Sequence, residues 1–155
     1  MTSKIWNKGL MSGLRQDWGT PNQLFWILNE RFHFTLDACA IAANAKVPRF
    51  LSPENDGLHS DWSGVVWCNP PYDRGLGKWV EKAFRESHCE RGPTVVMLLP
   101  ARTDTAWFHD YVLRAEAVEF LRGRLEFEHP NHTGRSRAPF PSMIVVFGKV
   151  PECKS

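Results

Sequence analysis

The 155-residue sequence has few cysteines, and none of them are arranged in pairs. Its four cysteines, Cys39, Cys68, Cys89 and Cys153, form no CxxC motif. We therefore expect neither a zinc cluster nor a disulfide framework. Instead, we expect the thiols to be reduced, as in an intracellular protein. His129 and His132 lie close together, but no cysteine or carboxylate cluster accompanies them. The sequence thus predicts no metal site.

The sequence also lacks long apolar runs and a strong excess of charge. No stretch approaches the length of a membrane-spanning helix, and the N-terminus has no apolar segment typical of a signal peptide. We therefore expect a soluble, cytoplasmic protein. The net charge of +2 and the pI near 8.4 permit nucleic-acid binding without arguing for it. A positively charged surface that binds nucleic acid would therefore have to be a small patch of the protein.

The chain length and the alternation of apolar patterns predict one α/β domain. Residues 1–16 are expected to form a loosely ordered arm and residues 17–150 a single domain. The run at 94–99 is continuously apolar, as in a strand buried in a parallel sheet. We expect a mostly parallel sheet with helices on both faces, and a polar loop at 128–141. Helices are predicted at 21–31, at 78–88 and after Thr103 or Asp104, with Thr20 capping the first; strands are predicted at 34–37, 65–68, 94–99, 118–121, 125–127 and 143–147.

The tetrapeptide Asn69-Pro70-Pro71-Tyr72 follows the apolar strand 65–68 directly. Prolines lack an N–H and fix φ, so this turn is stiff and presents carbonyls without competing donors. The Asn69 side-chain oxygen and the Pro70 carbonyl are placed to accept hydrogen bonds from a planar amino group, which frees its lone pair for attack. Tyr72 offers a flat face on which a flipped base can stack. The pattern predicts methylation of an amino nitrogen by direct displacement.

A related reaction, methylation of cytosine at C5, requires a nucleophilic cysteine next to a proline. The chain contains no Pro-Cys dipeptide, and Cys68 precedes the tetrapeptide within the strand. The sequence therefore argues against methylation of cytosine at C5.

Amino methylation needs an activated methyl donor, and S-adenosylmethionine is the general one. An acid at the end of the first strand, Asp37, is suited to a ribose hydroxyl or the methionine ammonium, and Ala38 and Cys39 let the backbone approach a ligand. No glycine occurs between Phe34 and Lys46, so small residues must replace the usual glycine-rich turn. Among the loop acids Glu54, Asp56 and Asp61 we favour Asp56, because Gly57 beside it suggests a shaped turn.

Taken in order, several segments resemble the phage-type DNA N-6-adenine methyltransferases over roughly residues 18–149. The shared segments are Trp18-Gly-Thr-Pro21 with Leu24-Phe25, Phe34-Thr-Leu-Asp-Ala-Cys-Ala40 with Asn44-Ala-Lys46, Asp56-Gly-Leu58, Trp67-Cys-Asn-Pro-Pro-Tyr72, Leu98-Leu-Pro-Ala-Arg-Thr-Asp-Thr105 with Trp107-Phe-His109, and Phe140-Pro-Ser-Met143. The resemblance implies a Rossmann-like methyltransferase fold, S-adenosylmethionine as donor, and adenine flipped out of double-stranded DNA as acceptor. It also implies that Thr20 and Pro21 close over the methionine end of the cofactor. A phage or prophage gene acting in a bacterial host, as in DNA modification, is expected.

The chain is too short to hold the separate target-recognition domain of larger adenine methyltransferases. Loops must therefore contact the DNA, and a short or permissive target site is expected. The candidates are Arg74, Arg102, Arg135 and Arg137, since arginines neutralise phosphates and read guanine.

Two alternatives remain open from the residues alone. The same tetrapeptide serves enzymes that methylate a protein glutamine or an amino group in RNA, because the acceptor geometry is shared. A non-catalytic DNA-binding relative is the other alternative, although the intact Asn69 and Tyr72 speak against it.

Overall fold

The computed structural model describes residues 20–129 and 132–150, and within them it is an α/β protein. The predicted arm at 1–16 lies outside the described residues. The helices are α1 (Asn22–Phe32), α2 (Leu76–Ser87) and α3 (Ala106–Asp110), and the strands are β1 (Leu36–Asp37), β2 (Val65–Cys68), β3 (Thr94–Pro100), β4 (Ala117–Phe120), β5 (Glu126–His129), β6 (His132–Arg137) and β7 (Ser142–Phe147). A short 3-10 turn, Val112–Arg114, follows α3.

The main sheet has the strand order β1-β2-β3-β7-β4. The β1–β2 and β2–β3 pairs are parallel, whereas β7 runs antiparallel to both β3 and β4. Because β7 is reversed relative to both of its neighbours, β4 points the same way as β1, β2 and β3. Four of the five strands of this sheet therefore share one direction, so the sheet is mostly parallel in strand direction, as predicted, with β7 inserted antiparallel. The last strand enters beside the carboxyl end of β3, so it can pair with β3 only in the antiparallel sense.

Helices cover both faces of this sheet, as predicted. On one face, Phe25 of α1 meets Trp67 of β2 with 5.8 Å between ring centroids. On the other, Phe84 of α2 meets Phe147 of β7 at 6.0 Å. All seven residues of β3 are buried between these layers. Burial of a large apolar side chain contributes about 1.5–3 kcal/mol, so the layers hold the central strands firmly.

The connection from β1 to β2 contains no helix. Its middle part runs beside β1: the Asp37 N–H donates to the Arg49 carbonyl at 3.0 Å, and the Leu51 N–H donates to the Asp37 carbonyl at 2.9 Å. A parallel bridge joins Asp37 to Phe50. These bonds hold the irregular segment at the edge of the sheet, next to the carboxyl end of β1.

The polar segment 128–141, predicted to be a loop, contains β6, which pairs with β5 in a hairpin. The prediction failed because β6 (HTGRSR) has no apolar alternation, and its pairing rests on backbone hydrogen bonds.

The capping predictions were also wrong. Helix α1 begins at Asn22 after Pro21 with no side-chain cap, and α3 is capped by Thr105, whose hydroxyl accepts from the Phe108 N–H at 3.3 Å. Caps depend on the backbone angles just before a helix, which several neighbouring Ser, Thr or Asp residues can satisfy.

Across the described ranges, no helix combines the length and the apolar character needed to cross a membrane.

Candidate active site

The turn after β1 and the tetrapeptide after β2 lie side by side. Asp37 is in register with Trp67 on the neighbouring parallel strand. The Ala38 N–H donates to the Trp67 carbonyl at 2.9 Å, and Trp67 precedes Asn69 by only two residues. The ends of the two strands therefore meet at one edge of the sheet, where ligand sites of open α/β sheets usually lie.

The first residue of the tetrapeptide is held by the segment before α1. Asn69 is half-buried, and its Nδ2 donates to the Thr20 Oγ1 at 3.2 Å. Pro70 is buried and Pro71 half-buried. The structure thus brings Thr20 to the tetrapeptide, although not as the helix cap that the sequence predicts.

The last residue of the tetrapeptide is enclosed by aromatic side chains. Tyr72 is 4% exposed, and its hydroxyl donates to the Leu98 carbonyl at 2.9 Å. Phe140 and Phe127 lie edge-on to its ring, with centroids 5.6 and 6.3 Å away. Burial raises the pKa of the Tyr72 hydroxyl well above its usual value. The expectation of an open stacking face does not fit this conformation, because Tyr72 packs as a core residue.

Asp37 is a buried acid that organises the turn following it. Its Oδ1 accepts from the Cys39 N–H at 3.3 Å, and its Oδ2 accepts from the Lys46 N–H at 3.1 Å. Burial raises the pKa of Asp37 from its usual 3.8 to about 6, and the two backbone hydrogen bonds act in the opposite direction. Asp37 thus shapes the glycine-free turn from within, and direct contact with a ligand stays a prediction.

A crevice of about 100 Å³ opens between this turn and the tetrapeptide. Its walls are mainly apolar or small, with one carboxylate at the edge. The lining residues are Cys39, Ala40, Ile41, Leu51, Ser52, Pro53, Asp56, Gly57, Pro71 and Trp79. Burial raises the pKa of the Cys39 thiol to about 12, so it stays protonated at neutral pH. The crevice suits a flat, partly apolar ligand that also carries hydrogen-bonding groups.

One backbone contact determines the shape of this crevice. A Cβ on Gly57 would lie 2.4 Å from the Ala38 carbonyl oxygen and 2.9 Å from the Trp79 ring. No side chain larger than hydrogen fits there without displacing backbone. Glycine is therefore required at residue 57 because the loop before β2 comes so close to the turn after β1.

The three acids considered from the sequence occupy different places. Asp56 lines the crevice, while Glu54 is exposed and absent from its walls. Asp61 lines a separate, more open groove of about 600 Å³ along α2. The His59 Nδ1 lies 2.6 Å from the Asp56 Oδ2, and this hydrogen bond holds the pKa of Asp56 below its usual value. The preference for Asp56 agrees with this placement.

The four arginines proposed to contact DNA differ in their surroundings. Arg74 and Arg137 are exposed, and the side chain of Arg135 lies outside the described residues. Arg102 is half-buried, with its guanidinium 5.4 Å from the centre of the Phe140 ring. Arg102 therefore supports the aromatic cluster around Tyr72 in addition to any contact with DNA.

Several residues of the site were missed in the sequence. Trp79 lies in the helix predicted at 78–88, where an apolar side chain indicates core, yet it forms a wall of the crevice, and Ile41 and Leu51 form others. Phe127 was assigned only to a short strand, yet it covers Tyr72. Nothing in a single sequence marks these residues, because an apolar wall and a core residue have the same composition.

Across the described residues, no group of three or more His, Cys, Asp or Glu side chains is placed to hold a metal ion.

Comparison with known proteins identifies the family. The model of the family described as "DNA N-6-adenine-methyltransferase (Dam)" matches residues 9–153. The chain belongs to this family. The DNA N-6-adenine-methyltransferase of Haemophilus phage HP1 is 36% identical over 136 residues, which cover 84% of this chain and 77% of the phage protein. The protein of the same name from Escherichia phage T1 is 35% identical over 111 residues, covering 70% of this chain and 44% of the relative. The predicted membership of the Dam family is confirmed.

Proposed function

We propose that the crevice binds S-adenosylmethionine and that the loop Asn69–Tyr72 presents the N6 amino group of a flipped adenine to it. The reaction, methylation of adenine N6 in DNA, follows from the Dam family, and the prediction of an adenine-specific DNA methyltransferase is confirmed. The observation that carries the proposed site is the hydrogen bond from Ala38 to Trp67, which holds the two loops together.

At about 100 Å³ the crevice has room for part of this donor, and its residues suit the adenosine end. Leu51, Ile41 and Trp79 supply apolar walls for an adenine ring, and the Asp56 carboxylate at the edge suits a hydroxyl or amino group. Gly57 leaves the space that a side chain would fill. The mixed sheet with three parallel strands and a crevice at their carboxyl ends supports a Rossmann-like methyltransferase fold.

The chain's own residues act by positioning. The Asn69 Oδ1 and the Pro70 carbonyl accept the two N–H groups of the amine and orient its lone pair. When bound, S-adenosylmethionine would supply a methyl group on a positive sulfur. The amine nitrogen would bond to that carbon as the carbon–sulfur bond breaks, the sulfur would leave as a neutral thioether, and one amine proton would pass to water. Alignment of this kind accounts for much of the rate enhancement in enzymes with no covalent intermediate.

The DNA is proposed to lie across the loops around the crevice. Arg74 and Arg137 are exposed and suited to phosphates. We propose that residues 17–150 form a single domain whose loops read a short target site. Mapping methylated adenines in treated DNA tests this, and a long, strict target sequence would contradict it. The phage origin of the relatives supports action in the cytoplasm of a bacterial host.

The assay that tests the proposed site offers tritiated S-adenosylmethionine with DNA, RNA or protein. We expect label at N6 of adenine in DNA, and for Asn69→Ala a loss of roughly 100-fold to 1000-fold in rate. Label in RNA or protein alone would favour the alternatives that the tetrapeptide leaves open. An active Asn69→Ala variant would disprove the role of the loop.

Asn29→Ala is the matched control for this assay. Asn29 is also half-buried, and its Oδ1 accepts from the Phe34 N–H at 2.9 Å, in the segment that leads from α1 into β1. This bond lies at the amino end of β1, whereas the crevice lies at the carboxyl end. The variant therefore loses an amide of similar burial and should keep the rate of methylation at that of the wild type.

A further inference from the structure

The side chain of Asn69 has two chemically different ends. Its Oδ1 is an acceptor and its Nδ2 a donor, and the two ends exchange places when the amide rotates by half a turn. Only the orientation with Oδ1 toward the substrate can accept a hydrogen bond from an amine. The opposite orientation sets two donors against each other. The proposed function therefore needs something that fixes the rotation of this amide.

Thr20 supplies a partner for the donor end. Its Oγ1 lies 3.2 Å from the Asn69 Nδ2, and the residue is only 2% exposed. The hydroxyl does not cap α1, since that helix begins after Pro21 without a side-chain cap. A hydroxyl can donate as well as accept, but in the structure Thr20 accepts from Nδ2 with its own O–H turned away from the amide, and this leaves Oδ1 for the amine.

The position of Thr20 is fixed through the same strand that carries Asn69. The Phe25 N–H donates to the Pro21 carbonyl at 3.1 Å, which joins the residue after Thr20 to the first turn of α1. Phe25 in turn packs against Trp67 of β2, two residues before Asn69. The hydroxyl and the amide are thus held by one packed unit although 49 residues separate them.

We propose that Thr20 is a positioning residue, whose hydroxyl oxygen holds the Asn69 amide with Oδ1 directed to the adenine amino group. This inference rests on the proposed function of the tetrapeptide. It differs from the role in closing over the cofactor that the family resemblance implies for Thr20, because the group that Thr20 contacts is a side chain of the protein. The two roles predict losses in different kinetic parameters.

The test is Thr20→Val, which keeps the shape of the side chain and removes the acceptor. We expect kcat for DNA methylation to fall roughly 10-fold to 100-fold, as for a misplaced catalytic group. The KM for DNA and the Kd for S-adenosylmethionine, measured by calorimetry, should stay within about threefold of wild type. Thr20→Ser keeps the hydroxyl and should restore kcat to within about threefold. Thr20→Ala removes the acceptor without a branched side chain, and it should repeat the loss if Thr20→Val folds poorly.

Thr35→Val is the matched control. The Thr35 hydroxyl also bonds across strands, accepting from the Val65 N–H at 3.1 Å, but at the opposite end of β1 and β2 from the crevice. It should leave kcat unchanged. An unchanged kcat in Thr20→Val and Thr20→Ala, or a loss confined to the Kd for the donor, would overturn the inference. Absence of DNA methylation by the wild-type protein would instead refute the proposed function, so the two failures are distinct.

Discussion

The two ends of the tetrapeptide Asn69–Tyr72 differ in how open they are. Asn69 begins a loop that lines a crevice, and its amide is already held by Thr20. Tyr72 lies beneath Phe127 and Phe140 with its hydroxyl bonded to a strand carbonyl. The Asn69 end, which we propose to face the cofactor, therefore lies beside an open crevice, whereas the Tyr72 ring, which we propose to face a flipped base, is covered by Phe127 and Phe140. If a base stacks on Tyr72, these two rings must move.

The largest effect is expected from Gly57→Ala, which fills space in the crevice beside the turn after β1. The added Cβ would meet the Ala38 carbonyl at 2.4 Å and the Trp79 ring at 2.9 Å. Overpacking of this kind destabilises a fold by about 1–3 kcal/mol. Because the backbone that must shift forms the wall of the crevice, we also expect a roughly 10-fold to 100-fold loss of affinity for S-adenosylmethionine in calorimetry, or about 1.4–2.8 kcal/mol of binding free energy. The control is Gly75→Ala, where the nearest atom is the Asp73 side chain at 3.1 Å and the helical backbone suits alanine. Equal affinities for both variants would show that the crevice is not the donor site.

Both the stability of the turn after β1 and the affinity for the donor should depend on pH through Asp37. Its folded pKa of about 6 exceeds the usual 3.8, so the stability that this group contributes is complete below pH 4 and is lost as the pH rises through 6. A cationic donor requires the ionised form, so its affinity should fall roughly tenfold per pH unit below pH 6. Calorimetry from pH 5 to 8 measures this, and Asp37→Asn should flatten the profile. A wild-type profile that is already flat would show that Asp37 serves only the turn.

At the covered end of the tetrapeptide, Tyr72→Phe removes only the hydroxyl. The Leu98 carbonyl then loses its partner, so the free energy of unfolding should fall by about 1 kcal/mol in chemical denaturation, with donor affinity unchanged. The half-buried Tyr111 is the other tyrosine of the chain, and Tyr111→Phe is expected to cost less than about 0.5 kcal/mol. If Tyr72→Phe lowered the free energy of unfolding no more than Tyr111→Phe does, the hydrogen bond from Tyr72 to Leu98 would not stabilise the packing around Tyr72.

The smallest effect concerns the exposed arginines. Arg74→Ala and Arg137→Ala should each weaken DNA binding a few-fold and reduce the slope of log affinity against log salt by about one. Fluorescence anisotropy at several salt concentrations measures both quantities. Arg85→Ala is the control, because Arg85 already pairs with Glu81 at 2.6 Å on α2. A slope that falls only in the control would place the DNA on the α2 face instead.

The sequence predicted those parts of the molecule that depend on local patterns. The strand before Asn69, the buried run of β3 and the bounds of α1 followed from apolar periodicity, and the nearness of Asp37 to Asn69 followed from their places at strand ends. The predictions failed where contacts between residues far apart in the sequence determine the structure. The hydroxyl of Thr20 bonds to Asn69 because of tertiary packing, and β6 forms because β5 lies beside it. Trp79 lines a crevice that exists only once both loops are in place.

The hydrogen bond from the Ala38 amide to the Trp67 carbonyl provides a measure of local opening at the crevice. It joins the turn after β1 to the strand that carries Asn69, so this amide proton reaches water only when β1 and β2 separate. Its rate of exchange with deuterium therefore reports the opening of the whole crevice. A ligand bound between the two loops slows that exchange, even though it leaves the amide itself untouched.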